Sequence, residues 1–442
     1  MRNTGVGIGP FAGLLCALLL GAAASGIGAG PALADEPARA PPKESVERDR
    51  LADRPFFRDT TLEWHPRTYY FDRENFDGSR NQAWAGGGWL AYHSGLWANT
   101  FHIGATFYTS QPIFAPADEG GTLLLTNDQD PINTLGAAYL GAKFHGQDFI
   151  VGRQLIDTPL INRRDNRMVH LTFEGATLRS DTGKDAKFEY IAGYFHRFKP
   201  RESNDFNYIA QGFGVEEVDA GTPFAWFRYR PNANFSFAAE NYWVEDTINT
   251  GYVEGIYQFP RRATGPQWEL AANLITQNSV GSDLLTGSSF FTYQGSARLK
   301  ADFGDLAVMF VASTTGDEAD INFPLGTKPN YTDLQQLSFD NAGEKAAGLG
   351  ATLKLDRFGL KDVTAAAWYV WGWDAIDPTT KASLPNEEEL DLSLRYQPSE
   401  GRWKGLSIWA RYGDVFSKVD GGRDHQPEYR FIVDYTVPLL PR

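Results

Sequence analysis

From Phe57 onward the chain keeps one texture. Segments of about 10–14 residues alternate apolar and polar side chains and are cut by Gly, Pro, Asn and Asp. In Trp97–Tyr108, Trp97, Phe101, Ile103, Ala105 and Phe107 share one face, interrupted only by Asn99. Thr100, His102, Thr106 and Tyr108 take the other. Phe291, Tyr293, Ala297, Leu299, Ala301 and Phe303 oppose Gln294, Ser296, Arg298, Lys300 and Asp302. Leu390, Leu392, Leu394 and Tyr396 oppose Asp391, Ser393 and Arg395, and Tyr429 to Val437 repeats the pattern around Arg430, Asp434 and Thr436. A period of two predicts strands with one apolar face. Eighteen such segments start near residues 59, 82, 97, 134, 148, 170, 186, 222, 233, 250, 266, 289, 305, 345, 362, 387, 403 and 427. No helical period intervenes, which excludes strands alternating with helices.

A soluble sandwich alternates in the same way, so number and continuity decide. An even set of strands running without a break to the end fits a closed barrel in lipid, where an open edge would leave N–H and C=O groups unpaired. Long gaps at 110–133, 156–169, 201–221 and 316–343 contrast with tight turns at Gly146-Gln147, Pro231-Asn232 and Gly304-Asp305. Long outer loops and short periplasmic turns are the expected asymmetry. The predicted fold is all-β: a transmembrane antiparallel β-barrel of about eighteen strands over residues 57–442.

The first segment has another character. Arg2 precedes an uncharged run from Phe11 to Ala24, and Ala32-Leu33-Ala34 offers a small-x-small cleavage site. Residues 1–34 are expected to be a signal peptide, cleaved on secretion to a Gram-negative outer membrane. Residues 35–56, charged and Pro-rich, read as a flexible periplasmic leader. The only cysteine, Cys16, falls in the signal, so the mature chain would hold no disulfide and no thiol nucleophile. Losing Arg2 makes the mature chain one charge more negative than the full chain's −14. That balance excludes nucleic acid as a partner. The 30 Phe, 19 Tyr, 12 Trp and 45 Gly suit aromatic girdles and bending strands, with outer-membrane lipid as the partner.

Motifs for enzymatic chemistry are missing. There is no Gly-x-Ser-x-Gly elbow, no His-Glu-x-x-His and no phosphate-binding glycine loop. The seven histidines are scattered without ligand spacing, so neither a metal nor a cofactor is expected. Glu387-Glu388-Glu389 reads as a solvated charge run.

Arginine recurs on the inferred lumen faces: Arg67, Arg73, Arg197, Arg228, Arg230, Arg298, Arg395, Arg411 and Arg430. Arg163, Arg164 and Arg167 crowd one long loop, while Arg153 shares parity with the apolar Phe149 and Val151. On a lipid face a mid-bilayer Arg costs roughly 2–4 kcal/mol, which drives these residues toward water. Two readings stay open: lumen residues paired with acids, or a ladder that passes a carboxylate along the pore. Glu240, Glu254 and Glu269 also fall on inward faces. They read either as local ion-pair partners or as an acidic wall that orients zwitterionic solutes in a transverse field.

The chain resembles the OprD family of substrate-specific outer-membrane porins. The resemblance starts at Arg-Thr-Tyr-Tyr-Phe-Asp-Arg (67–73) and runs through Trp84, Gly86, Gly88, Leu90 to Gly95 and Gly121 to Leu125. It resumes at Gly152-Arg153, Pro159, Asp165, Arg167 and Phe173 to Ala176, and closes with Trp403 to Ser417 and Tyr429 to Leu439. It implies an eighteen-stranded barrel, as a monomer or loose trimer, whose arginine ladder passes small anionic or zwitterionic solutes such as amino acids and aromatic acids. Arg67, Arg153 and Arg167 sit at matching positions, and the loop at 156–169 would fold inward. The chain closes on Leu440-Pro441-Arg442 instead of the terminal aromatic usual in such barrels. Two other functions remain: an exporter of acidic polysaccharide, which needs a continuous basic lumen, and an outer-membrane hydrolase barrel, which needs a nucleophile beside a base at the rim.

Overall fold

The computed structural model describes residues 54–181, 186–417 and 424–440. The expected signal peptide, Cys16 and all but the last three residues of the expected leader lie outside them. A short helix, Pro55–Arg58, leads in, and the Phe56 carbonyl accepts the Gly95 N–H at 3.0 Å.

Eighteen long strands follow. They are β1 (Thr61–Glu74), β2 (Arg80–His93), β3 (Phe101–Phe114), β4 (Ile132–Phe144), β5 (Gln147–Gln154) and β6 (Thr172–Ser180). Next come β7 (Phe188–Lys199), β8 (Thr222–Asn232), β9 (Phe235–Val244), β10 (Ile248–Gln258), β11 (Gln267–Asn278) and β12 (Phe291–Asp302). The last are β13 (Leu306–Thr315), β14 (Lys345–Lys354), β15 (Val363–Trp373), β16 (Glu387–Tyr396), β17 (Leu406–Ser417) and β18 (Asp424–Tyr435). Each pairs antiparallel with the next, and β18 pairs with β1, Arg67 opposite Asp434, so the sheet has no free edge. Two residues, Asn207–Tyr208, extend the edge of β7, and Val437–Leu440 prolongs the seam along β1. The starts agree with the sequence pattern to within a few residues.

The burial pattern is that of a barrel in lipid. The side chains a soluble fold would hide are the exposed ones: Leu140, Phe149, Val151, Leu349, Leu394 and Phe431 all face outward. Their strand neighbours Ile150, Arg430 and Ile432 are buried inside. With hydrocarbon outside, this face needs no protein partner.

The interior holds the core, and loops supply much of it. Ile156, Leu160 and Ile161, Ile209, Phe213 and Val215, and Ile321, Phe323 and Leu325 form one cluster with the inner faces of β6–β11. Leu124 and Leu125, with Met168 and Val169, form a second with Tyr69, Phe71 and Tyr108. Of the four long gaps, the sequence places one inward, by resemblance, and the others outside. In the structure segments of all four are buried, because their apolar residues can leave water only by packing into the lumen. One bulge also changes a face. The extra residue at Phe195–Arg197 opposite Glu174/Gly175 leaves Phe195 and Phe198 both in the interior cluster. That turns Arg197, expected inward, to the face of Glu174, where it lies over Tyr208 at 4.8 Å.

Candidate solute pathway through the lumen

The loop between β5 and β6 is held by the opposite wall. Glu240 on β9 accepts the Thr158 hydroxyl and, at 2.8 Å, the Leu160 N–H. At the tip, Asn162 Oδ1 accepts both the Arg164 N–H at 3.1 Å and the Thr327 N–H at 2.9 Å, and its own N–H reaches the Leu325 carbonyl at 3.1 Å. This loop is thereby tied to the one between β13 and β14. Arg164 is held at φ 48°, a strained value for a residue with a Cβ.

The β13–β14 loop crosses the lumen with both flanks anchored. Tyr331 donates its hydroxyl to Glu254 on β10, and Asn273 on β11 donates to the Pro329 carbonyl. On the other flank Glu389 accepts the N–H groups of Gln336 and Leu337 at 2.8 and 2.7 Å, and Asp391 accepts that of Gln335 at 3.0 Å. The expected solvated run at 387–389 is therefore corrected at its last member, since Glu389 is 0% exposed. Strand parity carried the signal: Glu389 and Asp391 share the inward face of Arg395.

The basic wall is formed by β1, β16, β17 and β18. Three guanidiniums surround the Phe71 ring: Arg73 at 5.9 Å, Arg167 at 5.1 Å and Arg430 at 5.5 Å. Trp409 carries Arg411 at 4.5 Å and Arg395 at 5.2 Å, and Trp89 carries Arg67 at 4.8 Å. Each such contact contributes about 0.5–2 kcal/mol and leaves the guanidinium edge free to take other partners, from the protein or from the lumen.

These arginines fall into two groups. Arg67 is buried and engaged by Asp434, by Asp165 at 2.7 Å and by the Arg167 carbonyl. Arg167 is buried against the Thr122 and Asn166 carbonyls at 2.8 Å, and burial pushes it down to about 10. Arg430 is buried on Glu428 and the Gln335 carbonyl. Burial would raise the Asp165 carboxyl, but contacts with His170 and Arg67 hold it well below the usual range. The second group is open to the lumen. The Arg73 and Arg411 side chains stay 28% and 19% exposed, with carboxylates at 3.8 and 4.0 Å, and Arg395 donates to the neutral Ser407 hydroxyl at 3.0 Å.

The other expected site residues are placed apart. Arg153 shares the outward face of Phe149 and Val151, binds Glu174 at 2.8 Å and lies over Phe206 at 4.2 Å, so the structure does not bring it to Arg67 and Arg167. Arg163 pairs with Asp157 in its own loop. Arg164 lies within electrostatic reach of Asp333 on the β13–β14 loop and of Glu202. Arg298 pairs with Glu269 at 2.8 Å under the Tyr331 ring. Glu240, Glu254 and Glu269 are thus all engaged locally, which favours the ion-pair and anchoring reading over a free acidic wall. Arg201 was not singled out from the sequence; it is buried against the Asn166 side chain, beneath the Arg164–Arg167 tip.

A closed barrel with an apolar outer belt, polar groups inside and loops drawn into its lumen is the architecture of a membrane-spanning β-barrel protein. Residues 54–439 match the family model described as outer membrane porin, OprD family, and the chain belongs to that family. Porin D of Pseudomonas aeruginosa is 24% identical over 421 residues, covering 89% of this chain and 94% of the relative. Among solved structures, Acinetobacter baumannii OccAB3 superposes with a TM-score of 0.77 at 17% identity, over 86% of this chain and 100% of that one. Pseudomonas aeruginosa OpdK, crystallised with vanillate, gives 0.75 at 18% identity, over 87% and 100%. The protein is an outer-membrane porin and not an enzyme, which disposes of the hydrolase reading.

Proposed function

We propose that this porin passes small carboxylate-bearing solutes, such as aromatic acids and amino acids, between its inward-folded loops and its basic wall. The observation that carries the reading is the row of partly exposed guanidiniums, Arg73, Arg395 and Arg411, spread over Phe71 and Trp409. A guanidinium on a ring keeps its charge and its forked donors, which match a carboxylate in two places. Arg67 and Arg167 brace the wall and the loop from behind. Vanillate in OpdK is an aromatic carboxylate of the expected kind. A wide basic channel for acidic polysaccharide fits less well, because loops occupy the lumen and Glu240, Glu254 and Glu269 face it. Passage through one barrel needs no neighbour, so the reading holds for a monomer or a loose trimer.

The test is uptake into proteoliposomes of benzoate against the isosteric neutral benzamide. Faster entry of benzoate, reduced to the benzamide rate in Arg73→Ala/Arg411→Ala, supports the reading. Equal entry of the two in the unaltered protein refutes it.

A further inference from the structure

A separate group of arginines lies away from the basic wall. Arg179 on β6 and Arg228 and Arg230 on β8 line a recess of about 440 Å³ with Glu189 and Ile191 of β7 and with Trp226. Strand parity turns them inward: Arg179 shares the face of buried Thr177, and Arg228 and Arg230 that of buried Phe224. The recess lies at the end of the short turns. The Arg230 N–H donates to the Lys187 carbonyl at 2.7 Å, and β8 ends two residues later at Asn232. The long loops and their anchors are at the other end.

The polar partners show what the recess can hold. The Glu189 carboxylate accepts from Arg228 on one oxygen and from Arg230 on the other. Among the described residues Arg179 donates to two neutral groups, Gln154 Oε1 at 2.7 Å and Thr177 Oγ1 at 3.3 Å. Asp148, opposite Arg179 on β5, is engaged by His102 at 2.8 Å. Among the described residues three guanidiniums and one carboxylate line the recess, and the Arg228 and Arg230 side chains remain 38% and 34% exposed.

We infer that this recess is a second carboxylate-binding site, at the short-turn end of the lumen, and that Glu189 is its built-in competing ligand. Two guanidiniums that already share one carboxylate have the spacing to share a solute's carboxylate instead. A tethered competitor acts at a high effective concentration, so it lowers net affinity and speeds departure. That suits an exit station, where binding must be favourable enough to draw the solute on and weak enough to release it. The inference rests on the carboxylate reading above.

The experiment is single-channel recording with benzoate added to one side of an oriented channel at a time. From the short-turn side, unaltered protein should show brief blockades. Arg228→Gln/Arg230→Gln should shorten them about tenfold or more, as expected for losing both guanidinium contacts, while loop-side blockades stay as they were. Glu189→Gln should lengthen the short-turn-side blockades about tenfold, which a purely structural Glu189 would not do. Open conductance and heat-modifiable migration report folding, and if the double variant does not refold, Glu189→Gln alone decides. Short-turn-side blockades unchanged in the double variant, or shortened by Glu189→Gln, overturn the second site. Loop-side blockade without any from the short-turn side overturns the second site alone. No blockade from either side overturns the carboxylate reading as well.

Discussion

Two walls of the lumen carry opposite kinds of ionisable group and use them in opposite ways. On β1, β16 and β17 the open cations rest on rings, Arg73 on Phe71 and Arg395 and Arg411 on Trp409, and stay partly exposed. On β9, β10 and β16 the carboxylates Glu240, Glu254, Glu389 and Asp391 are consumed by the loops they hold. A guanidinium that rests on a ring and stays partly exposed remains open to a solute. Arg67, Arg167 and Arg430, also on rings but buried on protein acceptors, become structure, as do the loop-holding carboxyls. β16 contributes to both kinds: Asp391 grips a loop while Arg395, four residues on, sits on a ring.

The hardest test of that contrast removes the anchors. Glu240→Ala and Glu389→Ala each delete two hydrogen bonds of about 0.5–1.5 kcal/mol apiece and leave loop N–H groups unpaired. Each should free its loop, raising open conductance severalfold with added noise in single-channel records; unchanged conductance would mean the loops are held by their apolar contacts alone. Next in size is the open basic group. Arg73→Ala/Arg411→Ala should weaken benzoate block about tenfold or more while open conductance changes little, measured by the concentration dependence of block.

A smaller effect is expected from pH. Burial pushes the Asp333 carboxyl up to about 6, and Arg164 lies within its electrostatic reach. Because the folded value is raised, the stability gained from protonation is complete below about pH 4 and is lost as pH rises through about 6. Over the same window a negative charge appears beside Arg164. Reversal potentials should therefore show anion preference rising from pH 7.5 to 5, and Asp333→Asn should flatten that step. Smallest of all is Arg153→Ala. Its exposed pair with Glu174 contributes at most about 1 kcal/mol, so benzoate block should be unaltered. A weakened block there would show that the outward face reaches the pathway.

The barrel was largely legible in the sequence because lipid imposes a local rule. Every second residue must be apolar, as in Phe291, Tyr293 and Leu299, and that period needs no knowledge of distant partners. Arg67 and Arg73 were placed inward correctly for the same reason. Parity failed at Arg197, where one bulged residue reverses the face, and the resemblance placed Arg153 in a ladder that its own parity argued against. The inward loops were mostly not legible, since their contacts are long-range, Asn162 with Leu325 and Gln335 with Asp391. One signal was present: Ile321, Phe323 and Leu325 are too apolar for a loop left in water. The buried state of Arg67 and Arg167 was also hidden, because their partners Asp434 and Thr122 lie far along the chain.

The central claim, that the open guanidiniums form a carboxylate pathway, is tested most directly by single-channel conductance of the refolded protein with a graded series of acidic solutes. The account predicts small pores with brief blockades that depend on the carboxylate and vanish with its neutral amide. Large pores indifferent to the solute's charge would contradict it.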